Sequence, residues 1–262
     1  MDPSLRTAAT GMRAQQTRTE VIANNLANVN TTAFKRSRAH FEDLLYQTVQ
    51  GSTTVGAPEA GTTPAIQVGR GVRLSAVQRV HSMGALEQTG RPFDLAIEGD
   101  GFFQVQLPNG QVGYTRDGGF TVSDQGTIVT QGGYAVVPGI QIPNDAADVQ
   151  VSRTGIVTVS RADSPNQEEV GRIELARFAN PSGLLSLGEN LYSETPASGE
   201  PILGFPQEEG MGRLLQGTLE ASNVEIVQEM VDMITSMRAY EINSKSVRNS
   251  EQMAEIASSM VR

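Results

Sequence analysis

The chain has 262 residues, 38% of them apolar, which is long enough to bury a real core and to form one or two domains. Its 29 acidic residues outnumber its 20 basic ones, and a net charge of -9 works against the phosphate-neutralising face that nucleic-acid binding needs. No cysteine is present, so disulfides, thiolate metal ligands and a cysteine nucleophile are excluded.

The N-terminus, MDPSLRTAATGMRAQQ, carries an acid at position 2 and lacks an apolar core, so it does not read as a cleavable secretory signal. No run approaches the roughly 18 apolar residues of a membrane span, and no direct membrane insertion is expected. The first element reads as a helix: Asp2 can cap it, Pro3 sits where the first-turn N–H is unpaired anyway, and only Gly11 interrupts it. Its narrow apolar seam is built from Leu5, Ala8, Ala9, Met12, Thr19, Ile22, Ala23 and Leu26, with Gln15 and Gln16 as polar interruptions. A seam so interrupted buries too little to offset chain entropy, so the ends are expected to order only on assembly.

The basic cluster Lys35, Arg36 and Arg38 follows this helix and reads either as a contact for acidic neighbours or as a solvated face, the solvated face being the ordinary case. Residues 50–71 are rich in Gly, Thr, Pro and Ser without periodicity and read as an extended or flexible stretch. From 94 to 205 short β-type runs alternate with turn residues. The runs 102–107 and 111–115 flank Asn109-Gly110 and predict a hairpin. Further runs fall at 120–122, 127–130, 134–137, 149–151, 156–160 and 171–178, which predicts an antiparallel β domain without helical crossovers.

The last element opens on Ser222 and Glu225 at capping-box spacing and meets no Gly or Pro before the C-terminus. Ile226, Met230, Met233, Met237, Tyr240, Val247, Ala254 and Val261 fall on an alternating three-four step, widened by Ile234, Ile256 and Met260. At about 1.5 Å per residue such a helix extends roughly 55–60 Å, too long for a small compact domain to wrap. The whole pattern predicts an α+β fold. Long terminal helices, 1–35 and 222–262, pair as a coiled-coil-like axial domain; 36–93 and 206–221 connect; a β-rich outer domain at 94–205 is inserted between them. The two ends are expected to pair, with their remaining faces meeting neighbouring subunits.

Little in the sequence supports catalysis. His40 and His81 form no metal-ligand pair, and a solvated or partner-contacting histidine is the ordinary reading. Asp100-Gly101 and Asp117-Gly118 match the paired carboxylates of glycan hydrolysis in composition only, and are equally turn dipeptides between strands. The fragment GDGFF at 99–103 lacks the third glycine of a dinucleotide fingerprint. No cofactor, metal site or catalytic set is expected.

The segment ANNLANVNTTAFKR at 23–36, with Asn24, Asn25, Leu26, Ala27, Asn28, Phe34 and Lys35 as its marked residues, resembles the N-terminal signature of the bacterial flagellar rod and hook axial proteins. The run GTLEASNVEIVQEMVDMITSMRAYEINSK at 217–245 resembles the same family's C-terminal hallmark. The segments FEDLLYQT at 41–48, GDGFFQV at 99–105, YTRDGGFTV at 114–122 and GENLY at 188–192 are similar to one rod member in particular, with proximal rod and hook subunits as the competing assignments.

One departure stands out: the family pattern places glycine before the aromatic, whereas this chain has Ala33. Glycine there allows positive φ cheaply and alanine does not, so either Asn28 or Asn30 makes the turn instead or the motif is looser here.

The resemblance implies a structural subunit, not an enzyme, that stacks helically with copies of itself into a hollow rod carrying torque from motor to hook. It implies export through the flagellar type III export apparatus without a cleaved signal, and a location in the periplasm-spanning basal body. The partners it implies are the proximal rod proteins, the hook protein, the P- and L-ring proteins and the rod cap. The stretch 46–71 resembles a segment that distinguishes the rigid rod from the flexible hook and implies contacts between subunits.

Overall fold

The computed structural model describes residues 3–50, 53–54, 62–63, 65–143, 145–161 and 164–260. The Asp2 cap, Val261 and part of the 50–71 stretch lie outside the described residues. The architecture is α+β, with an N-terminal helix, a β-rich middle and a C-terminal helix. The chain divides into two units: residues 1–27, 37–78 and 225–262 form one, and residues 28–36 and 79–224 the other.

In the helical unit, α1 spans Pro3–Ala27 and α2 spans Ile226–Met260. The two helices pack on each other, as the Arg18–Asp232 ion pair and the Thr19–Ser236 contact mark. The capping box at Ser222 and Glu225 does not form as the spacing predicts. The Glu225 carbonyl accepts the first helical bond from the Glu229 N–H, so the helix opens four residues after Ser222. Ser37–Asp43 pairs with Val72–Arg79, and Tyr46–Gln50 pairs antiparallel with Ile66–Gly69. The described part of the stretch expected to be extended or flexible is extended and paired: Thr53–Thr54 with Thr62–Thr63, and Ile66–Gly69 with Tyr46–Gln50. Tyr46, Val49, Ile66 and Val68 are all exposed on this ribbon, as is Leu45 just before it.

In the β-rich unit a nine-stranded antiparallel sheet is organised around Phe102–Gln106. That strand pairs with Val112–Thr115 in the expected hairpin, Phe103 opposite Thr115 and Gln106 opposite Val112. Its other side takes Leu175–Arg177 at one end and Ala135–Val136 at the other. Side chains alternate between the two faces of the strand. Phe103 and Val105 therefore enter a large core with Leu95, Ile97, Phe120, Val157, Ile173, Leu175 and Leu214. Phe102 points the other way, into a smaller cluster with Tyr114, Ala176, Phe178 and Tyr192. Ala146–Val151, Ile156–Arg161 and Ser164–Arg172 form a separate three-stranded sheet whose Val149, Val157 and Val159 join the large core.

Candidate assembly site

The sequence marks two places for function, the helix seam and the segment that closes α1. In the helical unit a set of polar side chains joins α1 to α2. Ser236 is fully buried, and its hydroxyl lies 3.0 Å from the Gln15 carbonyl, the Gln15 Oε1 and the Thr19 hydroxyl. Arg18 Nη2 sits 3.1 Å from Asp232 Oδ1. At Gly11 a Cβ would come within 2.9 Å of the Asn243 side-chain amide, which places Asn243 of α2 directly against α1 there.

Asn25 closes the end of this contact: it is buried, its Nδ2 donates to the Ser37 carbonyl at 2.9 Å, and its Oδ1 accepts the Ser37 N–H at 2.8 Å. Nδ2 also donates to Glu229 Oε2 at 3.1 Å. One amide therefore pins the chain twelve residues on and the start of α2 together, by saturating backbone groups that burial would otherwise leave unpaired.

The residues of the expected seam divide. Ile22 is buried, and Leu5, Met12, Met233 and Val247 are half-buried. Ile226, Met230, Met237, Tyr240 and Ala254 are exposed, Met230 and Met237 each at 51%. The buried and half-buried row of α2, Glu229, Met233, Ser236, Asn243, Val247 and Ser250, keeps Met233 and Val247 from the expected seam and is otherwise polar, with Glu229, Ser236 and Asn243 against α1. The physical reason is that an apolar stripe signals something to be covered, without saying by which chain. Val227, Val231 and Ile234 widen the exposed stripe.

In the β-rich unit the motif segment is held by a buried charge cluster. Lys35 is fully buried, against its expected solvated place, and pairs with the equally buried Glu220. Lys35 Nζ also donates to the Ser82 carbonyl at 2.8 Å, and Glu220 Oε1 accepts the Gly84 N–H at 2.9 Å. Arg116 lies 3.8 Å from Glu220 Oε2, donates to the carbonyls of Ile97 and Gly99, and stacks over the Phe102 ring. Burial holds the Lys35 ammonium below the usual lysine range, against the opposing pull of Glu220.

His81 stands edge-on to the rings of Phe102 and Tyr192, its Nδ1 buried without a hydrogen-bond partner. Burial, helped by the charges of Lys35, Arg116 and Arg79, pushes it down to about 4, so it is neutral near pH 7.

Around this cluster the backbone is locked. The Ala33 N–H donates to the Glu220 carbonyl at 2.7 Å, and Ala33 itself takes φ 56°. The turn therefore falls on the alanine. Asn28 and Asn30 keep negative φ, contrary to expectation, and the Asn28 carbonyl accepts the Thr31 N–H. Phe34 is buried with the Arg79 guanidinium over its ring. Asn223 completes the clamp: its Oδ1 accepts the Arg36 N–H at 2.8 Å, and its Nδ2 donates to the carbonyls of Val80 and Ser82. Asn24 and Ala27 are exposed and Leu26 is half-buried.

Sequence reading missed Asn223, Glu220 and Ser236, because a lone polar residue in a strand end or helix carries no periodic signal. The acids weighed for hydrolysis are turn residues. Asp117 Oδ1 accepts the Gly119 N–H at 3.0 Å, and the Asp100 carbonyl accepts the Gly212 N–H at 2.7 Å. Among the described residues no cluster suited to a metal ion occurs, and no helix is long and apolar enough to cross a membrane.

Three family models match the chain. Residues 5–35 match the model described as flagella basal body rod protein. Residues 96–159 match that of the flagellar hook protein FlgE/F/G D1 domain, and residues 215–260 that of the flagellar basal body rod FlgEFG protein C-terminal. The flagellar basal-body rod protein FlgG of Caulobacter vibrioides is 47% identical over 98% of both chains. That of Borreliella burgdorferi is 47% identical over 99% of this chain and 98% of its own. The rod protein FlgF of Caulobacter vibrioides is 36% identical over 98% of this chain and 97% of its own. These are structural parts of the flagellar rod and hook, not enzymes. Similar at this level along nearly its entire length, the chain belongs to the family of flagellar basal-body rod proteins.

Proposed function

We propose that the chain is the distal-rod subunit of the flagellar basal body, polymerising helically into the drive shaft that carries torque from motor to hook. In this reading the terminal helices assemble as a coiled-coil-like inner tube, and the β-rich part, inserted between them in sequence, makes lateral contacts outside it. The observation that carries it is the exposed apolar stripe of α2, Met230, Ile234, Met237 and Tyr240, beside a contact to α1 that is made largely by polar groups. A stripe of that size on an unassembled chain is a surface awaiting neighbours. Identity to FlgG exceeds identity to FlgF within one organism, which favours the distal-rod member.

Export through the type III apparatus without a cleaved signal, a periplasm-spanning location, and contacts with proximal rod proteins, hook protein, P- and L-ring proteins and rod cap belong to the same proposal. So does a role for the exposed ribbon of Tyr46–Gln50 and Ile66–Gly69 in stiffening contacts between subunits, since a two-stranded ribbon with exposed apolar side chains is marginal alone. The motif residues Asn24 to Asn28, Phe34 and Lys35 then act by fixing how the first helix ends, and the stripe residues by meeting the next copy.

The test is Met230→Asp with Met237→Asp. Electron micrographs should show loss of polymer while the near-ultraviolet signal of the buried tyrosines stays unchanged; polymers of normal yield would remove the stripe from the mechanism.

A further inference from the structure

Six strands of the nine-stranded sheet lie on one path: Ile202–Gly204, Leu175–Arg177, Phe102–Gln106, Val112–Thr115, Leu191–Ser193 and Leu185–Gly188. Each is antiparallel to the next, so direction alternates and the two end strands run in opposite senses. Among the described residues each end strand has a neighbour on one side alone. Such an edge presents a row of unpaired N–H and C=O groups, a template for another strand.

Both edges are aliphatic. Leu185 and Leu187 are 57% and 50% exposed at one, Ile202 and Leu203 40% and 51% at the other. Leu185 lies opposite Ser193 and Ile202 opposite Arg177, which puts both on the sheet face that carries Phe103, Leu175 and Leu191. Charge distinguishes the two edges. Glu189 and Glu194 follow the 185–188 strand with no cation near them in sequence, whereas Arg177, the sole base between residues 173 and 212, stands beside Ile202. Glu200 flanks the same edge and the Glu209 carboxylate lies 3.9 Å from where a Gly204 Cβ would stand, so attraction depends on the Arg177 guanidinium reaching across Ile202 past both acids.

We propose that these two edges meet between successive copies of the chain, the Leu185–Gly188 strand of one pairing antiparallel with the Ile202–Gly204 strand of the next, so that the sheet continues from subunit to subunit. The inference rests on the self-assembly proposed above and names one of its lateral contacts. An even number of alternating strands is what makes it work: copies related by a simple advance along the path bring opposite directions together and preserve the antiparallel order. Leu185 then shares a face with Ile202 of the neighbour.

The contact is head-to-tail and does not close on itself, as a growing polymer requires. Pairing of the 185–188 edge with its own copy would instead set Glu189 and Glu194 against their own kind. The register shift between Ser186 and Gly188 confines the new ladder to a few residue pairs. So short a ladder is marginal in free solution, and forms once the polymer has raised the local concentration of edges.

The absence of native cysteine makes the test clean. The chain carrying both Leu185→Cys and Ile202→Cys is polymerised, treated with a short bismaleimide and run on a denaturing gel. A ladder of multimers from polymer, and monomer alone from the unassembled chain and from each single variant, is the expected result. Polymer without a ladder overturns the edge pairing and leaves self-assembly standing. Dimers from either single variant overturn the head-to-tail order, and failure of the parent chain to polymerise overturns both. Independently, Arg177→Glu should lower polymer yield severalfold and Glu189→Arg in the same chain should restore it; an unchanged yield in Arg177→Glu excludes the charge contact.

Discussion

The seam between α1 and α2 and the clamp around Lys35 are both buried polar contacts, yet they are finished to different degrees. In the clamp the Lys35 ammonium, the Arg116 guanidinium and the Glu220 carboxylate neutralise one another, and Asn223 saturates three backbone groups. Everything expensive to desolvate there has a partner, apart from the His81 Nδ1 and one Glu220 oxygen that has a cation nearby but no hydrogen bond. The seam satisfies its own hydroxyls and amides but leaves a stripe of apolar side chains on α2, Met230, Ile234 and Met237 among them, turned outward. The clamp is complete within one chain; the seam keeps its largest apolar surface uncovered.

Breaking the clamp should therefore cost most. Glu220→Ala leaves Lys35 and Arg116 buried without their anion, which typically costs about 3–5 kcal/mol, where replacing a whole buried pair by apolar residues is often neutral. Urea unfolding followed by tyrosine circular dichroism should show that loss, with much of it recovered when Lys35→Met is added. Met230→Asp, by contrast, changes an exposed position and should stay within about 0.5 kcal/mol in the unassembled chain. Comparable losses for the two variants would erase the distinction between clamp and seam.

A smaller effect separates the clamp's charges from its histidine. His81 is held at about 4, below its ordinary 6.5, so between these values the unfolded chain binds the extra proton and the folded chain does not. Stability is then fully present above pH 6.5 and falls as pH drops through about 4, by on the order of 3 kcal/mol at 1.36 kcal/mol per unit. Asp117, whose carboxyl burial raises, pulls the opposite way, so the informative quantity is the difference between the parent and His81→Leu. That difference should change steadily between pH 6.5 and 4, and a flat one would show that the imidazole does not titrate with folding.

The same contrast explains what was legible in the sequence. Both helices and the 102–115 hairpin declare themselves through local signals: freedom from proline, apolar spacing, and the Asn-Gly turn with Gly110 at φ 80°. The strands between residues 37 and 79 do not, because most of their side chains are exposed and the alternation that marks a half-buried strand is weak. Lys35 was unreadable for another reason: its anion lies 185 residues away, and a basic run beside a helix is ordinarily solvated. Periodicity found the stripe on α2 and, in Met233 and Val247, part of its less exposed row; the rest of that row, Glu229, Ser236, Asn243 and Ser250, is polar and leaves no hydrophobic trace.

The smallest expected effect lies at Ala33, where the clamp meets backbone conformation. Alanine in the left-handed region is disfavoured relative to glycine, and Ala33→Gly relieves that. Two losses oppose the gain: glycine enlarges the freedom of the unfolded chain, and the buried methyl disappears. The three contributions are each about 1 kcal/mol, so Ala33→Gly should leave stability within about 1 kcal/mol of the parent. Ala33→Val faces the same φ with a branched side chain in a site already fully buried, so it should destabilise by several kcal/mol, strain and overpacking together. Thermal unfolding of the two variants checks this directly. A tolerated valine would mean that the turn readily moves to a neighbouring residue, and that the Ala33 N–H bond to the Glu220 carbonyl is dispensable to the clamp.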